Sequence, residues 1–297
     1  MTISAIRRAT PVDLTLLALT MLIWAGAFVG IKIAVPAVGP VGVAAARAVI
    51  GLFVLAPFFL LSSRQLPRSA SQWALLIVMA ELNVAIPFTL ISYAELTVTA
   101  GVASLMMGTG PLFAMIGAHY FTVDDRMNGK RAIGVAMGFA GIALVVGPDA
   151  FAEASRTPFV PLLALVTASL CYVVSGLLVR RIDLPPLSMA ITALAISSIS
   201  LLPIALLQTD ASALTERNVL AALLFLGVLP TGLAYILRFH LIGKIGYATF
   251  ALSVNMIPVF GVLLGVVLLG EVLTPSVVAA LLLIVGGLAI ARSGSRT

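Results

Sequence analysis

The sequence predicts an all-α membrane protein of ten transmembrane helices, arranged as two inverted five-helix repeats. Three observations predict it. The 297 residues are 61% hydrophobic and 9% charged, against roughly 25% charged in a soluble domain. Charge-free runs cover 96–123, 157–179, 184–209, 218–237, 245–270 and 272–291, and about 20 apolar residues suffice to cross a bilayer as helix. Third, residues 75–123 lie on 222–270 with a constant shift of 147 and no gap. Pro111-Leu112-Phe113 then falls on Pro258-Val259-Phe260, Phe88 on Tyr235 and Leu105 on Leu252. A shift of 146 places Pro57 on Pro203 and Gly141-Ile142-Ala143 on Gly287-Leu288-Ala289. Weak internal symmetry in so apolar a chain is the mark of a carrier built from two repeats.

Turn residues and charges set the spans in order. Spans 1 to 5 run about 13–34, 40–62, 71–93, 98–121 and 129–147. Spans 6 to 10 run about 159–180, 187–207, 217–238, 246–269 and 275–292. Arg7 and Arg8 precede span 1, which is read as a retained helix because the apolar run continues to Lys32, about as long as a full span. Arg64 and Arg68 separate spans 2 and 3, and Arg126, Lys130 and Arg131 separate spans 4 and 5. A polar connector at 149–158 divides a first repeat, 1–148, from a second, 159–297. No stretch alternates like a barrel strand, so the spans are helices.

Orientation follows from the basic residues. Thirteen of the 17, from Arg7 to Arg296, fall on one side; Lys32, Arg47, Arg156 and Arg217 lie towards the other. The positive-inside rule then puts both termini in the cytoplasm of a bacterial-type inner membrane. Five spans per half force the second repeat to enter from the opposite face. The loop charges agree: the 4–5 loop is basic while the 9–10 loop carries Glu271, and the 3–4 loop has no base while the 8–9 loop has Arg238 and Lys244. The net charge of +6 is a topology signal and asks for no nucleic-acid partner.

Few residues can carry chemistry. Glu81 is the acid well inside a span, and a charge at mid-bilayer costs roughly 2.5–3.5 kcal/mol, so it should face a cavity or a partner. It reads as a site for a substrate ammonium or a proton, or as a solvated wall residue, and Asn83 is assigned to the same wall. Lys32 and Arg47, near the outer ends of spans 1 and 2, can position a carboxylate; the alternative is snorkelling to headgroups or pairing with a loop acid. Pro87, Pro111, Pro230 and Pro258 sit inside spans 3, 4, 8 and 9, where each removes a helix hydrogen bond and invites a hinge or a static kink. Cys171 stands alone, His119 and His240 have no zinc-site spacing, and no glycine-rich phosphate loop follows a strand. No catalytic residue, metal or cofactor is assigned, and ATP is not the direct energy source.

The chain resembles the ten-helix EamA-type members of the drug/metabolite transporter superfamily. The resemblance rests on P-V-F-G-V-L-L-G-V-V-L-L-G-E-V-L-T-P from Pro258 to Pro275, with the glycine pair Gly286-Gly287 behind it. Trp24-Ala25-Gly26-Ala27-Phe28 with Lys32 resembles the first-helix signature, and Arg47 resembles the basic residue of the second helix. It covers about residues 12–292. Val123-Asp124-Asp125 departs from Gly270-Glu271 at the equivalent corner, and nothing in span 7 answers Arg47.

The resemblance implies a path lined by Trp24 and Phe28 on span 1, Phe88 on span 3, Tyr172 on span 6 and Tyr235 on span 8. Their rings can stack on an aromatic solute, or form a packing belt. Met106, Met107 and Met256 add adaptable surface, and Ser175, Ser253 and Asn255 add hydrogen-bonding groups. The function implied is export of small neutral or zwitterionic metabolites, aromatic and other amino acids foremost, by alternating access, as a monomer or homodimer in the bilayer. A broad drug or purine exporter and an uncoupled facilitator are the alternatives on this fold; an intramembrane enzyme or a scaffold subunit are those outside it.

Overall fold

The computed structural model describes residues 10–62, 65–121, 128–146, 159–179, 181–246, 250 and 253–293. The connector at 149–158, the termini, and Leu252 of the repeat alignment lie outside them. Among the described residues, each of the ten predicted spans contains helix. Helix α1, Pro11–Leu60, holds spans 1 and 2. It opens on a capping box: Thr10 Oγ1 accepts from Asp13 N at 3.3 Å, and an Asp13 carboxylate oxygen accepts from Thr10 N at 2.9 Å. Gly39, at φ 72° between Pro36 and Pro40, breaks the helix in two. Thr209 Oγ1 donates to the freed Val38 carbonyl at 3.0 Å.

Span 3 is α2, Ala70–Ala80, a π turn, Glu81–Ala85, and α3, Ile86–Ala94. Span 4 divides into α4, Ala100–Met107, and α5, Gly110–Phe121. Spans 5, 6 and 7 are single helices: α6, Gly129–Val146; α7, Phe159–Val179; and α8, Pro186–Gln208. Span 8 is α9, Arg217–Leu226, a π turn, Gly227–Leu233, and α10, Ala234–Ile245. Span 9 has its break at Val254-Asn255 before α11, Met256–Leu269, and span 10 is the single helix α12, Pro275–Ser293. The shift of 147 carries Glu81–Ala85 onto 228–232, inside the second π turn. Gly108 and Asn255 are repeat mates, so the breaks in spans 4 and 9 are symmetric too.

The prolines act differently from simple interior kinks. Pro111 and Pro258 lie in the first turns of α5 and α11, where a missing N–H costs nothing. Pro87 follows the first π turn, and Pro230 sits inside the second. Span 8 runs seven residues past its predicted end at Arg238. Nothing from Ala234 to Ile245 breaks a helix, and Gly246, at φ 83°, ends it.

Packing follows the pseudo-twofold. Span 5 packs on span 10, span 4 on span 9 and span 2 on span 7; span 1 on span 8 is matched by span 6 on span 3. Exchanging the repeats maps this set onto itself. Glycines set the closest approaches: a Cβ at Gly134 would overlap the Gly287 carbonyl, and one at Gly108 would overlap Pro258. The outer surface is apolar, with Leu207, Ile199 and Val267 each at least three-quarters exposed, as contact with lipid tails requires.

Candidate functional site

The interior is organised around Arg47. Ala44, Ala45 and Ala48 bring its helix close to span 7, and the side chain is 7% exposed. The guanidinium carbon lies 3.6 Å from the Phe88 ring centroid, a stacking worth about 2 kcal/mol when desolvated. Nε donates to Thr231 Oγ1 at 3.2 Å. Tyr172 and Tyr235 lie within electrostatic range of it. Among the described residues Thr231 is its one hydrogen-bond partner. The remaining N–H edges form a planar fork, which matches a carboxylate. Arg47 was expected near an outer end; the structure buries it among spans 3, 6 and 8.

The π turns aim the groups around Arg47. Pro230 has no N–H, so the Leu226 carbonyl loses its helical donor, and Thr231 Oγ1 takes it at 2.8 Å while also serving Arg47. Ala234 N–H turns back to Leu229 rather than Pro230, and Trp24 Nε1 donates to the freed Pro230 carbonyl at 3.1 Å. Asn83, on the first π turn, donates through Nδ2 to Ser175 Oγ at 2.9 Å and accepts from Tyr235 OH at 3.4 Å. Ser175 Oγ donates to the Tyr172 carbonyl at 2.9 Å. Asn83, Phe88, Tyr172, Ser175 and Tyr235 therefore meet at one place, and the repeat mates Phe88 and Tyr235 both face Arg47.

Other expected residues sit elsewhere. Trp24 is half-buried, edge-on to Phe250 with centroids 5.9 Å apart. Phe28 is 7% exposed in a core cluster against which Tyr172 and Met107 pack, so it is packing material first. Met107 Sδ accepts from Ser169 Oγ at 3.5 Å. Ser253 is buried, and the Asn255 side-chain oxygen is buried without a partner among the described residues, at the break before α11. Met256 is 39% exposed. Glu81 departs furthest. Its carboxylate accepts from Ser200 Oγ at 3.0 Å in a side groove of about 300 Å³ between spans 2, 3 and 7, lined by Ala85, Ile86, Thr89 and Ile204. Asn83 turns inward and Glu81 outward, because residues two apart on a helix point to different faces.

Three charges complete the picture, and one of them was missed. Lys32 Nζ donates to the carbonyls of Glu95 and Val98 at 2.7 and 2.8 Å, covering the end of α3. Those two bonds commit its ammonium to the backbone. Glu271 accepts from Ala100 N and Gly101 N at 2.6 and 2.9 Å. It thereby caps α4 from the other repeat, beside Thr99, which caps Val102 N. Glu95 is fully buried. It falls just beyond the predicted end of span 3, where it reads as a loop residue; its position directly after a buried helix end was the available signal.

A family profile described as the EamA-like transporter family matches residues 13–147 and again 160–293. An uncharacterized transporter of Archaeoglobus fulgidus is 30% identical over 250 residues, covering 82% of this chain and 85% of its own. A probable terminal-alkyne amino-acid exporter of Streptantibioticus cattleyicolor is 25% identical over 275 residues, covering 93% of this chain and 90% of its own. A solved crystal structure, at 19% identity, superposes with a TM-score of 0.69 over 97% of this chain and 99% of its own, and shares the fold.

Proposed function

Because the chain belongs to the EamA-like transporter family, and so is a multi-pass membrane transporter built from two repeats, we propose that it exports small zwitterionic metabolites, amino acids with aromatic or apolar side chains foremost. The observation that carries the reading is the buried Arg47 guanidinium, stacked on Phe88 and left with free N–H edges among Tyr172, Tyr235, Asn83 and Ser175. The fork takes the solute carboxylate, the rings take its side chain, and the Asn83 and Ser175 oxygens accept from its ammonium. The relative named as an amino-acid exporter supports this class. Alternating access follows from two halves, 1–148 and 159–297, rocking about the site, with the 149–158 connector on the far side of the inner membrane from two cytoplasmic termini.

The rival, an exporter of lipophilic amines or drugs, draws on the Glu81 groove, where one carboxylate lies in an apolar wall. Counterflow in proteoliposomes separates the two. Phenylalanine, leucine and their decarboxylated amines are offered in parallel. Amino acids should exchange and their amines should not, with Arg47→Gln abolishing the exchange. Equal transport of acids and amines would overturn the proposal. An imposed pH gradient in the same vesicles distinguishes a coupled carrier from a facilitator.

A further inference from the structure

Where span 3 meets span 4, the chain from Glu95 to Gly101 is held from both repeats. Lys32, of the first repeat, donates to the Glu95 and Val98 carbonyls. Glu271, of the second, accepts the first two N–H groups of α4. Gly265 lets the clamp close, since a Cβ there would run into the Glu271 carboxylate. Inside this clamp the Glu95 side chain is 0% exposed, and neither of its carboxylate oxygens has a hydrogen-bond partner among the described residues. The charged groups that face it are Lys32 and Arg47 from α1 and Glu271 from the turn before α12. Lys32 is committed to backbone carbonyls, and Glu271 repels a second negative charge.

An ionised carboxylate without a partner is costly to bury, whereas a neutral carboxyl is far less so. The closed clamp therefore fits Glu95 with its proton on. Once ionised, Glu95 competes for Lys32, which leaves the carbonyls it holds, and one half of the clamp is lost. We propose that Glu95 is a proton-binding site that latches this end of the bundle: protonated while the 95–101 segment is clamped, ionised and paired with Lys32 once it opens. The O–H bond breaks as the segment loosens, the electron pair stays on the carboxylate, and the proton passes to the water that enters. The proposal rests on the transporter reading only in calling the segment a gate. Its sign is fixed: the closed form holds the proton, so rising pH favours the open form.

The test uses the full chain in detergent, with Cys171→Ser and spin labels at Thr97 and Val272, two exposed positions next to the clamped segment and to Glu271. Pulsed electron resonance gives the distance distribution from about pH 5 to about pH 10, a range that brackets the ordinary and buried carboxyl values. One short distance should hold at acid pH, and a longer one should grow as the pH rises. The closed-to-open ratio should fall by about tenfold per pH unit through the transition, the slope of one proton. Glu95→Gln should keep the short distance throughout. Should that variant fail to fold, infrared difference spectra of the parent should lose one protonated-carboxyl band over the same pH range, and Glu95→Asp should move the midpoint. A parent with no pH response, or a Glu95→Gln variant that responds like the parent, overturns the proposal. Failure of every amino acid in counterflow, with this pH response intact, overturns the Arg47 reading instead.

Discussion

Replacing Arg47 with glutamine removes the one fork-shaped donor of the interior cluster. Hydrogen bonds to charged groups contribute about 1.5–3 kcal/mol each, and a glutamine amide returns one neutral bond in their place. The net loss for a carboxylate ligand is about 2–3 kcal/mol, or about 30- to 150-fold in affinity. Folding should respond differently. Arg47 holds one hydrogen bond, to Thr231, and one ring contact, to Phe88, together about 3 kcal/mol. Against that stands the cost of burying a guanidinium without a counter-ion, which is several kcal/mol. Stability should therefore change little while binding collapses. Equilibrium binding of labelled phenylalanine in detergent, beside thermal unfolding of the same samples, measures both. Arg47→Lys should recover part of the affinity, since it keeps the charge and loses the fork. Unchanged binding in Arg47→Gln, or a binding loss matched by an equal loss of stability, would refute the assignment and make Arg47 a structural strut.

Three further outcomes are expected. Glu81→Gln should leave amino-acid counterflow within about twofold of the parent, because its carboxylate faces the Ser200 groove rather than Arg47; a larger drop would return Glu81 to the path. Gly134→Ala should lower the unfolding midpoint by several degrees, as about 1–3 kcal/mol of overpacking against Gly287 and Ala291 demands. Gly243→Ala, with open space around it in α10, should not lower it. Cysteines at Ser155, in the connector, and Ser293, at the end of α12, should react with impermeant reagents from opposite sides of the membrane; labelling from one side would remove the inverted arrangement.

The scaffold was legible because it is written in periodic apolar runs and in the placement of proline and glycine. The helix ends at Ala94 and Leu269 fall within a residue of expectation for that reason. The site was legible only in part. Phe88, Tyr172, Tyr235, Asn83 and Ser175 were found as residue types, and the fold brings them together. Linear depth misled for Arg47, since its burial depends on Phe88 and Thr231 arriving from spans 3 and 8. Helical angle was neglected for Glu81 and Asn83, which a shared wall cannot accommodate two residues apart. The π turns were visible only as prolines. Nothing in a local pattern says that Pro230 will hand one carbonyl to Thr231 and that the turn will hand another to Trp24.

The symmetry of the scaffold and the asymmetry of its charges belong to one argument. The π turns, the breaks in spans 4 and 9 and the helix pairings all survive exchange of the repeats. The charges do not. With the shift of 147 Glu95 falls on Ile242, and with that of 146 Arg47 falls on Ala193 and Lys32 on Leu178. On the proposed reading, a twofold scaffold with Arg47 in one repeat and alanine at its mate would present a single anion-binding fork rather than two. On that reading the same scaffold opens to either side while the solute keeps the same partner. The two ends cannot open on the same terms, however. One end is held by Lys32 and Glu271 around a buried carboxyl. At the other end, the position equivalent to Glu95 is an isoleucine. If Glu95 binds a proton as proposed, opening the first end is tied to that proton, and the isoleucine at the equivalent position of the second end cannot carry one. Under an imposed proton gradient, that difference would distinguish the two directions of transport.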